Sequence, residues 1–197
     1  MNWYTFLGVC FAAYLIGSIP FGFLIAKAHG INIRKVGSGN IGSTNITRAM
    51  GWGWGMLVGI LDAVKAYLPA WVAQHLTSNN WQMLIISILP VIGHIFPIWL
   101  GFKGGKGVAT TFGLLAFYLG MPTFALFLVI WFLAVKAIKL MSLVNLVVGL
   151  LLPLIFWMKY RKTAYLLLGV FLCLIIWWSH RENIQRLLNG KELPTNY

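Results

Sequence analysis

Acidic residues are almost absent from this chain of 197 residues. Three carboxylates, Asp62, Glu182 and Glu192, stand against fifteen Lys and Arg. The shortage excludes whole classes of chemistry. Carboxylate-bridged metals, Asp-rich diphosphate sites and Ser-His-Asp hydrolysis all need acids that are not there. No histidine has an aspartate five residues later, so an H-x-x-x-x-D dyad is excluded as well. Cysteine is as scarce: Cys10 and Cys173 sit in apolar runs, without metal-ligand spacing or a disulfide framework, and read as small buried hydrophobes. Four scattered His complete a set too thin for zinc, so neither a metal nor a cofactor is expected. Charge of any sign makes up 9% of the chain, against roughly 25% in soluble domains.

What fills the chain instead is apolar: 60% of residues are hydrophobic, including ten Trp and thirteen Phe. The apolar blocks run over about 3–26, 52–75, 81–100, 108–135, 140–158 and 163–179. A helix crosses a bilayer in about 20 residues. Barrel strands alternate apolar with polar residues rather than running apolar throughout. The expected fold class is therefore an all-α integral membrane protein, one domain over 1–197, with no internal repeat or linker. The first block lacks a basic leader and a small-residue cleavage site, so it reads as a retained span.

The fourth block, 108–135, is too long for one crossing: 28 residues extend about 42 Å at 1.5 Å per residue, against roughly 30 Å of hydrocarbon. Gly120 and Pro122 at its centre break helices. Splitting it there gives short helices over about 107–120 and 122–135, and seven transmembrane helices in all. With the N-terminus outside, seven crossings place Lys27, Arg34, Lys35, Arg48, Lys103, Lys106, Lys136, Lys139, Arg181, Arg186 and Lys191 on the cytoplasmic side, and only Lys159, Arg161 and Lys162 outside. Six crossings would divide the same fourteen as nine and five. The preference for positive charge inside favours seven, which also brings three polar islands to one cytoplasmic face, with the C-terminus. Within the second span Asp62 and Lys65 lie three apart on one helical face. Two readings fit them: a structural ion pair, or a contact with substrate for which Lys65 is the better candidate.

The first island, 34–48, holds Gly37, Gly39 and Gly42 among Ser38, Asn40, Ser43, Thr44, Asn45 and Thr47, with Arg34, Lys35 and Arg48 and no acid. Hydroxyls, amides and glycine-freed N–H groups can wrap a phosphate. Ser43 or Thr44 is expected to cap a helix whose N-terminus favours anions. The second island, "GFKGGKG" at 101–107, suggests a nucleotide loop and fails the pattern, because Leu100 and Gly107 stand where Gly and Ser or Thr are required. Glycine backbone and lysine charge remain, with Lys103 and Lys106 as the cations, and Thr110 or Thr111 opening the next helix. His94, just upstream, is a lone histidine on an apolar helix and ranks second. The third island follows the last span: His180, Arg181, Asn183, Arg186 and Glu192, with Ile184, Leu187 and Leu188 on one face of a short amphipathic C-terminal helix. His180 and Asn183 are three apart and point the same way. A site of cations, amides, hydroxyls and backbone N–H binds phosphate and stabilises an oxyanion.

These stretches, "SGNIGSTNITR" (38–48), "GHIFPIWLGFKGGKGVAT" (93–110) and "HRENIQRLLNGKE" (180–192), with "GSIPFG" at 17–22, closely resemble the motifs of the bacterial acyl-phosphate:glycerol-3-phosphate acyltransferase family (PlsY). The excluded dyad is that of the other common glycerolipid acyltransferases. The resemblance spans nearly the whole chain. It implies acyl transfer from a long-chain acyl phosphate to the 1-hydroxyl of glycerol 3-phosphate, giving lysophosphatidic acid and phosphate, in the bacterial cytoplasmic (inner) membrane. It also implies contact with membrane lipids, a functional link to the enzyme that makes acyl phosphate, and no nucleic acid. Carried over by motif, Ser38 and Arg48 are the essential residues of the first island. Gly104, Gly105, Lys106 and Gly107 bind glycerol 3-phosphate, and His180, Asn183 and Glu192 come from the third. Catalytic roles are expected for Ser38, Arg48, Lys106, His180 and Asn183. Substrate-binding roles are expected for Gly39, Asn40, Gly42, Thr44, Asn45, Lys103, Gly104, Gly105, Gly107, Thr110, Arg181 and Glu192. In the mechanism this suggests, Lys106, Arg48 and loop N–H groups hold the phosphates, while Ser38, Asn40 and Asn45 position the acyl phosphate. The base is either His180 or an oxygen of the departing phosphate; an acyl-serine is a third route. Other classes remain open: a transporter or channel for phosphate-bearing metabolites, whose site would lie nearer the midplane, and a lipid-binding scaffold.

Overall fold

The computed structural model describes residues 1–195. The chain is all-α, and no strand occurs among the described residues. Helix α1 spans Trp3–Ser18, its first turn capped by the Asn2 side chain, which accepts from the Thr5 N–H at 2.9 Å. It stops at Ile19, held extended ahead of Pro20, and α2 (Phe21–Ala28) continues after the break. Next come α3 (Ser43–Met50), α4 (Trp52–Leu76) and α5 (Asn80–Ile95), the last capped by Asn79. Gly51, at φ 93°, separates α3 from α4. Helices α6 (Val108–Leu119) and α7 (Met121–Ile138) meet at Gly120, whose φ of 82° is open to glycine. The expected split of the long fourth block therefore falls where "LGMP" put it. The chain ends with α8 (Met141–Tyr160), α9 (Thr163–Ser179) and α10 (Arg181–Leu188).

Seven apolar helical segments are present among the described residues, but they are not equal. Five are long and apolar enough to cross a bilayer: Trp3–Ala28, Trp52–Leu76, Asn80–Leu100, Met121–Ile138 and Met141–Tyr160. A sixth is α9, which bends by 60° into the short helix α10. The 12 residues of α6 reach only about 18 Å at 1.5 Å per residue, well short of a full crossing. Prolines 69, 90 and 153 lie inside α4, α5 and α8, as membrane helices tolerate.

Two compact units divide the chain within α6. In the first, Met1–Leu114, α1 lies along α5. A Cβ on Gly17 would strike the Pro90 backbone and one on Gly93 the Tyr14 carbonyl, so glycine is required on both sides of this helix pair. The Tyr14 hydroxyl locks the pair by donating to the Phe96 carbonyl at 2.8 Å. Beside it α3 folds onto α4 over a core of Ala26, Ile33, Ile41, Ile46 and Val58. In the second unit, from Leu115 onward, α8 and α9 form the central pair, with Gly169 packed on the Leu152 carbonyl. Trp131 of α7 donates to Asn145 Oδ1 of α8 at 2.9 Å, and Tyr160 donates to the Tyr118 carbonyl at 2.7 Å. Leu126, Val129, Ile130 and Leu133 of α7 remain exposed, the apolar face that lipid covers.

Candidate active site

The first polar island is a loop held by one side chain. Asn45, in the first turn of α3, is 1% exposed. Its Nδ2 donates to the carbonyls of Val36 and Asn40 at 2.9 Å each and of Ile33 at 3.3 Å, and its Oδ1 accepts from the Ser38 N–H at 2.9 Å. Its polar groups are thus used to shape the loop rather than to face a ligand. Gly37, at φ 56°, lies so close to Asn45 Oδ1 that a side chain would displace it. Asn40 Oδ1 accepts from the Gly42 N–H at 2.8 Å, and Gly42 is the N-cap of α3. The expectation that Ser43 or Thr44 would be the cap is corrected: Ser43 is the first helical residue, because the turn at Asn40 already fixes the chain at Gly42. Ser38, Gly39, Asn40 and Thr44 are half-buried, and Arg48 in the last turn of α3 is exposed.

The second island is wired differently. The Gly104 N–H donates to the Ile95 carbonyl and the Gly105 N–H to the His94 carbonyl, both at 3.0 Å. These carbonyls end α5 and have no partner within their own helix. The two N–H groups therefore cap α5, and the glycines allow close packing there. Gly105 lies against the Nε2 side of the His94 imidazole with no room for a Cβ. Helix α6 opens at Val108, not at Thr110 or Thr111. Both threonines are fully buried, and Thr110 Oγ1 donates to the Gly107 carbonyl at 2.9 Å. Lys106 is half-buried between the buried Gly105 and Gly107, while Lys103 is exposed.

The structure brings these two islands together. Arg34 Nη2 donates to the Lys103 carbonyl at 2.9 Å, across 69 residues of sequence. Within α4, a candidate membrane span, lies a buried ion pair. Lys65 Nζ is 2.7 Å from Asp62 Oδ1 and donates to the Ile19 carbonyl at 2.7 Å; His94 Nδ1 lies 3.5 Å from the same Asp62 oxygen. Lys65 is 3% exposed, so of its two sequence readings the structural pair is the one seen. His94 is not alone on its helix face, as the sequence suggested, because Asp62 reaches it from α4.

The third island lies in the other unit, where α9 bends into α10. His180 is 2% exposed and its Nδ1 is 2.8 Å from the Ile176 carbonyl. A carbonyl only accepts, so Nδ1 carries the proton and the lone pair of the neutral ring is on Nε2. Asn183, one turn on, is buried and donates to Glu192 Oε1 at 2.6 Å, while Arg186 Nε donates to Glu192 Oε2 at 2.8 Å. Glu192 therefore fastens the chain after α10 back onto that helix. Arg181 sits over the Trp178 ring at 4.5 Å. Sequence reasoning missed the organising role of Asn45, the Arg34–Lys103 link and the Asp62–His94 contact; only the Asp62–Lys65 spacing hinted at any of them. Among the described residues no cluster of His, Cys, Asp or Glu could hold a metal ion.

Helices of this length and apolarity, interrupted by cation-rich polar loops, define a polytopic integral membrane protein with its chemistry-bearing residues at helix ends. A family model described as glycerol-3-phosphate acyltransferase matches residues 7–190. A glycerol-3-phosphate acyltransferase of Thermotoga petrophila is 42% identical over 202 residues, covering 100% of this chain and 98% of that one. Its counterpart from Aquifex aeolicus is 38% identical over 182 residues, covering 91% and 94%. Crystal structures of PlsY, an integral membrane glycerol 3-phosphate acyltransferase, superpose on the chain with TM-scores of 0.90 in the glycerol 3-phosphate form and 0.87 in the lysophosphatidic acid form. Both are 36% identical and cover 98% of this chain and 96% of theirs. The chain belongs to the glycerol-3-phosphate acyltransferase family.

Proposed function

We propose that the protein transfers a fatty acyl group from a long-chain acyl phosphate to the 1-hydroxyl of glycerol 3-phosphate, releasing lysophosphatidic acid and phosphate, the first acylation of bacterial phospholipid synthesis. The observation that carries this reading is the Arg34–Lys103 link. It joins two cationic loops in a unit whose single acid, Asp62, is buried against Lys65. Phosphate is the charge complement of such a surface, and both substrates carry one. The resemblance of the three motifs supplies the acyl phosphate donor.

In this reading Arg48 and Lys106 hold the phosphates and neutralise the charge that develops as phosphate departs. Ser38 and Asn40 position the acyl phosphate. Asn45, Gly104, Gly105, Gly107, Thr110 and Glu192 act by shaping the loops that carry those groups. The hydroxyl oxygen bonds to the acyl carbon, the bond from that carbon to the phosphate oxygen breaks, and its electron pair leaves with phosphate. The hydroxyl proton goes to the departing phosphate, since the chain is so poor in bases. His180 is the second acceptor to consider, because its Nδ1–H bond to the Ile176 carbonyl puts the lone pair of the neutral ring on Nε2. His180→Gln separates the two: a fall of about 10²–10⁴ in kcat marks a general base, and a small fall marks the substrate-assisted route. One catalytic domain, seven segments with the N-terminus outside, and residence in the cytoplasmic membrane complete the proposal.

The test is purified protein supplied with glycerol 3-phosphate and either acyl phosphate or acyl-coenzyme A. Equimolar phosphate and lysophosphatidic acid from acyl phosphate alone is the expected result. Product from acyl-coenzyme A alone overturns the donor. Exchange of labelled glycerol 3-phosphate across liposomes without conversion overturns the enzyme reading in favour of a transporter.

A further inference from the structure

Three ionisable side chains, Asp62, Lys65 and His94, lie buried within candidate membrane spans, each no more than 5% exposed. Charged groups there are costly, and an apolar trio of similar volume would fill the space at lower cost. Their connections show what they do. Lys65 Nζ, besides its ion pair, donates to the carbonyl of Ile19, the joint at which α1 stops and α2 begins. Helix α2 in turn supports the first island: Gly22 abuts the Ile41 carbonyl so closely that no Cβ fits. On the other side His94 touches Asp62 through Nδ1, presents its Nε2 edge to Gly105, and receives the Gly105 N–H on its own carbonyl. One buried unit thus reaches the supports of both cationic loops.

We propose that Asp62, Lys65 and His94 are positioning residues which set α2 and the 101–107 loop together, and so place the side chains of the first island and Lys106 for phosphate. The proposal rests on the phosphate-holding reading of those loops, and its test is chosen to be decided apart from that reading. Amide hydrogen exchange of the intact protein in detergent, without substrate, reports the Gly104 and Gly105 N–H bonds directly. Steady-state kinetics with varied glycerol 3-phosphate reports the placement.

His94→Ala is expected to speed exchange across 101–107 and to raise KM for glycerol 3-phosphate by on the order of 10- to 100-fold, more than it changes kcat. His94→Gln, which keeps a polar side chain against Gly105, recovers part of both. Asp62→Asn leaves the Lys65 ammonium without its carboxylate and acts in the same direction. Asp62→Asn with Lys65→Met removes both charges and regains thermal stability, but it also deletes the bond to the Ile19 carbonyl, so KM for glycerol 3-phosphate stays raised. Wild-type exchange across 101–107 in both His94→Ala and Asp62→Asn overturns the proposal. So does a wild-type KM in variants that only unfold at lower temperature. If the wild-type protein acylates nothing, the functional reading falls, and the exchange data still decide whether these residues set the loop.

Discussion

Around Ser38 a side chain holds the backbone, whereas around Lys106 the backbone holds itself. Both loops are rich in glycine and free of acid, yet their hydrogen bonds run in opposite directions. In the first, buried Asn45 gathers three carbonyls and one N–H, so the loop depends on a single amide. In the second, Gly104 and Gly105 return their N–H groups to the last carbonyls of α5, while side chains support the loop from outside, Arg34 at the Lys103 carbonyl and the His94 ring at Gly105. Glycine therefore serves two purposes within one unit. At Gly37 it clears the hub amide, and at Gly105 it lets the chain pass the Nε2 edge of an imidazole ring. In the proposed function the side chains assigned to ligand differ accordingly: hydroxyls, an amide and a guanidinium from the first loop, an ammonium from the second.

This contrast can be broken from either side. Lys106→Ala should have the largest effect, lowering kcat/KM by about 10²–10³ in steady-state assays, because the second loop offers little else to phosphate once its N–H groups are committed. Asn45→Ala leaves three carbonyls and an N–H without their partner, at a cost of about 3 kcal/mol. Thermal unfolding in detergent measures that loss, and amide exchange at Gly104 and Gly105 should stay slow while the first loop loosens. Gly105→Ala drives a methyl group into the His94 ring at a cost of about 2 kcal/mol, and the same unfolding assay should show part of it regained in the double variant with His94→Ala. Glu192→Gln should do least. Its side chain is 6% exposed, but its partner Arg186 is 30% exposed and can turn to water, so losing the ion pair costs about 1.5 kcal/mol, read as a small fall in unfolding temperature.

Much of this was legible from residue order. Apolar runs gave the helices because membrane helices need little beyond length and apolarity, and Gly120 with Pro122 marked the break between α6 and α7. The three islands stood out because polar residues are rare here. What could not be read was any bond between distant segments. Helical spacing pairs Asp62 with Lys65, but His94 is 32 residues beyond Asp62 and meets it only through packing of α4 on α5. The N–H groups of Gly104 and Gly105 looked available because nothing in the sequence says that the chain turns back onto α5. Asn45 resembled the other amides of its loop until burial set it apart. Glu192 resembled a ligand until its two oxygens were seen on Asn183 and Arg186.

The bond from Lys65 to the Ile19 carbonyl also has a consequence for the order of biosynthesis. Chains are made from the N-terminus, so the Ile19 carbonyl is made 46 residues before the lysine that needs it. Asp62 travels with Lys65 on the same helix, so α4 reaches the translocon as a net-neutral segment with its own counter-ion. When it leaves for the lipid, an acceptor is already waiting. His94 and the loop above it arrive last and close over a pair that is already neutralised.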